Sequence, residues 1–165
     1  MNRLIWAITI AAAANYAVLI YFMMFQIAPA TGGLKPLDLR ILGYSYEDVM
    51  AFLAALRFET VDLLVGPVRI IDTSFPILLG AAGVGWIWVM SASRSMFVRL
   101  AACAIPIAYA VFDLIENALV GQILRGAMPP IELVETASTI TLLKFTCVAA
   151  SFVALYFVMG GEREE

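Results

Sequence analysis

The sequence contains no histidine. That absence removes the usual haem ligand and most zinc and copper chemistry. Only two cysteines are present, Cys103 and Cys147. Both fall inside apolar runs and neither belongs to a CxxC pair, so they read as small buried hydrophobes rather than a redox pair. Charge is scarce as well: 14% of the 165 residues, with a net charge of −3. There is no basic patch, which argues against nucleic acid as a partner. A P-loop, a GxGxxG turn, an internal repeat and a low-complexity tract are all missing. Nothing calls for a cofactor. Asp72, Asp113 and Glu116 make a poor metal-binding motif, because an aspartate–glutamate pair alone is weak, and no metal is expected.

What the chain has in abundance is hydrocarbon. Hydrophobic residues make up 63% of it, far more than a soluble domain of this size can cover with polar surface. They are clumped into four runs, about 4–25, 67–90, 98–123 and 133–159, each near the roughly 20 residues that cross a bilayer. The fold expected is therefore an all-α membrane protein, a bundle of four transmembrane helices forming a single membrane domain over 1–165. A cleaved signal peptide is the rival reading of the first run, with Ala28-Pro29-Ala30 as the cleavage site. The run is too long for a signal core, so a retained helix is favoured.

The loop between the first two spans, 26–66, is long but patterned. Ser45 is a good N-cap, and Asp48 three residues on resembles a capping box. Val49, Phe52, Leu53 and Leu56 follow at i, i+3, i+4 and i+7, which predicts an amphipathic helix over about 46–57. Its apolar face should lie flat on the ends of the bundle. Orientation follows from the short connections: Arg3, Arg94, Arg99 and Arg163 share one side, which the positive-inside rule makes the cytoplasm. Lys35, Arg40 and Arg57 in the long loop compete with that assignment. The expectation is a bacterial inner-membrane protein with both termini cytoplasmic.

The informative residues are polar ones inside the spans. An isolated charge at the bilayer centre costs roughly 3 kcal/mol on insertion scales, so such groups should face one another. The third span carries Tyr109, Asp113, Glu116 and Asn117 on one stripe. The fourth carries Thr141 and Lys144, the first Asn15, and the second Asp72. Helical rise sets Asp113, Lys144 and Asn15 about 15 Å below the outer boundary. Glu116 and Asn117 come about one turn higher, and Asp72 higher still. Together these eight residues form the candidate polar cluster. Spans three and four are joined by a short turn and are antiparallel neighbours, so Asp113 should touch Lys144 directly or through one water. If Lys144 instead faces Glu116, the register shifts by about one turn. Pro76 and Pro106 cannot donate to the carbonyls of Asp72 and Ala102, which must find other partners. Three carboxyls against one lysine leave the cluster unbalanced, unless Arg57 or Arg69 completes it or a carboxyl keeps its proton.

Gly43-Tyr44-Ser45, Arg57, Asp72 with Phe75-Pro76, and Asp113 with Glu116-Asn117 resemble the pattern of a group of bacterial four-span membrane proteins. That resemblance implies the same architecture and a shared cluster on the outer side, and nothing about chemistry. Three functions fit these residues. The first is a structural or accessory subunit of a membrane complex. The second is a pocket open to the outer side for a lipid-like or small polar ligand. The third is a membrane enzyme with Asp113 and Glu116 as acid and base. The bilayer is the partner all three share. The orientation is checked by cysteine labelling: a Ser45→Cys site should react from the outer side, and labelling from the cytoplasm would reverse the assignment.

Overall fold

A computed structural model describes residues 2–160. The acidic tail and Arg163 lie outside the described residues. Four helices are long and apolar enough to cross a membrane: the first span Asn2–Ala30, the second Phe58–Met90, the third Met96–Arg125, and the fourth, whose helix covers Ile131–Gly160. This is an integral membrane protein, an all-helical four-span bundle. Large apolar side chains such as Trp6, Ile10, Ile70, Ile107 and Phe152 are exposed. They form a belt that water would not tolerate and lipid covers at no cost.

The helices run beyond the apolar stretches that mark them in the sequence. A helix cannot stop in hydrocarbon, because its last carbonyls would be orphaned there. The first span continues past 25 through a π-helical turn at Met23–Ile27. It stops where the Thr31 hydroxyl turns back to the Ile27 carbonyl at 3.0 Å. The second span starts at Phe58 rather than 67 and jogs at Gly66, just ahead of Pro67. Glu59 and Asp62 give that first segment a polar face, which is why it reads as loop from sequence. In the fourth span, the hydroxyls of Thr136, Thr139, Thr146 and Ser151 each donate to the carbonyl four residues back. That bonding lets polar side chains sit on a helix in lipid.

The long loop folds onto one end of the bundle, here termed the loop end. Its helix is Tyr46–Ala55, slightly shorter than expected, and Ser45 with Asp48 forms a full capping box. The Ser45 N–H, followed by the Arg40 guanidinium at 2.8 Å, holds the Asp48 carboxyl below the usual carboxylate range. Val49 and Phe52 are buried, while Leu53 and Leu56 pack partly buried against the same core. That core, with Met23, Ile27, Val68, Ile123 and Val134, gathers under the loop. The opposite end holds only a small cluster around Ile87, Ala102 and Cys103.

The loop is also pinned to the fourth span. The Tyr44 N–H donates to Ser138 Oγ at 2.9 Å. Gly43 has φ of +78°, and a Cβ there would lie 2.7 Å from that same oxygen. Only glycine satisfies both the left-handed backbone and the close approach.

The spans pack in sequence order, first on second, second on third, third on fourth. Gly83 sits against Pro106, so the second and third spans approach closely there. A methyl added at Gly83 would lie 2.9 Å from the Pro106 ring carbon. Gly83→Ala should therefore lower stability by about 1–3 kcal/mol. Ala81→Leu, on an exposed face, should leave it unchanged. Reversible unfolding in mixed micelles measures both.

Candidate functional site

The third span presents Tyr109, Asp113, Glu116, Asn117 and Val120 along one buried stripe. The fourth answers with Val134, Ala137, Thr141 and Lys144, also buried. Both stripes follow helical spacing, so the polar groups meet where the two helices touch. Lys144 Nζ lies 2.8 Å from Asp113 Oδ1 and also pairs with Glu116 Oε2. The lysine thus bridges one turn of the third span. The two partners expected as alternatives are both engaged, because one ammonium has three N–H donors. The other Glu116 oxygen, Oε1, accepts from the Thr141 hydroxyl. Glu116 is 0% exposed, Asp113 5% and Lys144 7%. The triad is almost wholly buried, and its single ammonium contacts both carboxyls.

The loop closes the top. Tyr44 is buried, and its hydroxyl lies beside Thr141 without a hydrogen bond of good geometry. Burial pushes the Tyr44 phenol above its ordinary range, with Thr141 opposing. Asp38, on the short 3-10 turn Leu37–Leu39, is 8% exposed and turns inward. It lines a small cavity with Arg69, Asp72, Val68 and Phe52. The cavity measures about 20 Å³, room for roughly one water.

The second and third spans are joined by a reciprocal clamp. Asn117 Nδ2 donates to the Asp72 carbonyl at 3.2 Å. This is the carbonyl that Pro76, four residues on, cannot serve, so the side chain replaces the missing backbone donor. In return Arg69 donates from its guanidinium to the Asn117 carbonyl. Gly121 makes room: a Cβ there would lie 2.6 Å from the Arg69 guanidinium.

The candidate residues therefore separate into groups. Asp113, Glu116, Thr141 and Lys144 form one closed unit. Asn117 belongs to the clamp, and the Asp72 carboxyl faces the small cavity. Asn15 is tied elsewhere: its Nδ2 donates to Ser74 Oγ at 2.6 Å, fastening the first span to the second. Tyr109 lies one turn from the triad and lines a larger apolar cavity of about 180 Å³ toward the terminal end. Sequence reasoning missed Asp38, whose place between two leucines gave only a faint sign of burial. It offered Arg69 as a charge partner for the cluster, whereas the guanidinium bonds the Asn117 carbonyl. Among the described residues, no three His, Cys, Asp or Glu side chains gather to hold a metal ion.

Comparison with family models, with curated proteins and with solved structures finds no match to this chain.

Removing one partner from a buried pair strands the other charge, at about 3–5 kcal/mol. Lys144→Met should show that loss in reversible unfolding. Adding Asp113→Asn should recover part of it, and Glu116→Gln should recover more. A double variant no more stable than Lys144→Met alone would mean that Asp113 contributes no charge to the pairing.

Proposed function

We propose that the chain is a structural or accessory subunit of a membrane assembly, in which the Asp113–Glu116–Lys144 triad sets helix register. The observation that carries this reading is the closure of the triad. Glu116 Oε1 accepts from Thr141, Lys144 contacts both Glu116 Oε2 and Asp113, and none of the three lines the 180 Å³ or the 20 Å³ cavity. An acid or base that works on a substrate needs a path to it. A group that sets shape needs only its partner. Fixing register is the best-attested way in which a buried ionic group confers conformational specificity.

A second observation supports a docking role. Leu42 is 90% exposed, and Phe58 and Met128 are also exposed near the loop end. These apolar side chains lie at the margins of the spans, where the headgroup region begins and a second membrane subunit has access to them. The arginines at the terminal end favour a bacterial inner membrane with both termini cytoplasmic. The resemblance to bacterial four-span proteins favours the same setting.

Native mass spectrometry of the chain, extracted from its own membrane in lipid discs, tests the assignment. A membrane protein should accompany it at fixed stoichiometry and be lost from a Leu42→Asp, Met128→Asp variant that still folds. A chain that travels alone would overturn the subunit reading. An activity that disappears in a folded Asp113→Asn or Glu116→Gln variant would move the assignment to an enzyme.

A further inference from the structure

The terminal half of the bundle differs from the loop half. Below the triad, all four spans contribute to the apolar cavity of about 180 Å³. Its walls include Thr9, Leu79, Trp86, Tyr109, Val148 and Leu155. The polar wall atoms are mostly spoken for. Thr9 donates to the Ile5 carbonyl and accepts from Trp86 Nε1, and Ser151 donates to the Cys147 carbonyl. A space of this size without free polar partners stays dry and takes a hydrocarbon guest; engineered apolar cavities of about 150 Å³ bind benzene. It lies at membrane depth beside Phe152, whose ring is exposed to lipid.

Two arginines stand near the terminal end of that cavity. Arg99 lies over the Trp88 ring at 3.9 Å and donates to the Trp88 carbonyl at 3.1 Å. Trp88 and Leu155 both pack against the cluster of Ile87, Ala102 and Cys103, and Ile87 and Leu155 are cavity walls. Arg94 donates to the Phe157 carbonyl at 3.2 Å, only two residues, or about 3 Å of rise, beyond Leu155. Among the described residues, neither has a carboxylate within 4.0 Å, and the buried Arg99 Nε has no hydrogen-bond partner. Hydrocarbon space and two guanidinium groups without a carboxylate partner among the described residues therefore adjoin each other.

We infer that this end of the bundle is a binding site for one anionic phospholipid, with an acyl chain in the four-span cavity and the phosphate at Arg94 and Arg99. The charge pattern selects the occupant. Either lipid fills the cavity and brings a phosphate, but the cation of a zwitterionic headgroup cancels that charge beside the arginines, whereas an anionic headgroup brings no opposing cation. Guanidinium groups suit phosphate through paired N–H donors. Each basic residue near a membrane surface contributes about 1 kcal/mol toward anionic lipid. The inference is independent of the subunit assignment, since it uses none of the triad residues.

The test uses delipidated full-length chain in neutral detergent, titrated with dioleoyl phosphatidylglycerol or dioleoyl phosphatidylcholine and read by native mass spectrometry. One phosphatidylglycerol should bind about thirty-fold more tightly than phosphatidylcholine. Arg94→Gln with Arg99→Gln should erase the preference, weakening phosphatidylglycerol far more than phosphatidylcholine. Ser151→Leu, which fills the cavity, should weaken both lipids. Leu155→Trp serves the same purpose if Ser151→Leu does not fold. Dihexanoyl phosphatidylglycerol and inorganic phosphate should bind far more weakly. Equal affinity for the two dioleoyl lipids would overturn the headgroup assignment. Undiminished binding in a folded cavity-filling variant, or full affinity for phosphate alone, would overturn the acyl-chain site.

Discussion

An ammonium group buried among helices in a bilayer has no solvent to turn to, and the geometry around Lys144 follows from that constraint. Its two carboxylates come from successive turns of the third span. Sliding the fourth span by one turn, or rotating it away, would strand charge in hydrocarbon. The triad therefore sets both depth and rotation for the pair. It also sets where the loop can land, since Thr141 and Ser138 lie on the same helix and the loop reaches both through Tyr44.

The second and third spans solve a different problem. Pro76 breaks the backbone ladder inside the membrane, and an uncompensated carbonyl there is costly. Asn117 supplies the missing donor, and Arg69 returns a bond to the backbone of Asn117. Each helix thereby satisfies a main-chain group of the other. Gly121 and Gly83 permit the required proximity. Small residues matter here because, in lipid, helices are held by packing and polar contacts rather than by exclusion of water.

These devices are concentrated in one half of the molecule. The loop half holds the large apolar core, the triad, the clamp and the folded loop. The terminal half has a small core and a cavity between the four spans. A densely packed half beside one that holds a cavity suits a protein that presents a fixed face at one end and accommodates lipid at the other. The closed triad and the open cavity thus point to different roles for the two ends.

The sequence alone determined the medium, the number of spans and the local starts. Run length against bilayer thickness is a one-dimensional property, and the Ser45–Asp48 capping box spans only four residues. It also set Asp113 and Lys144 at equal depth with Glu116 about one turn higher, because helical rise converts position into height. Tertiary structure alone decided which polar group meets which. Lys144 takes two partners because its side chain reaches across a turn. Asn15 meets Ser74 rather than the triad, and Asp38 turns inward from the loop. Periodicity orients residues within one helix, but says nothing about the rotation of that helix against its neighbours. Nor does it say where an irregular loop will lay its side chains. Those choices belong to contacts between residues far apart in the chain, and they appear only when all four spans are packed together.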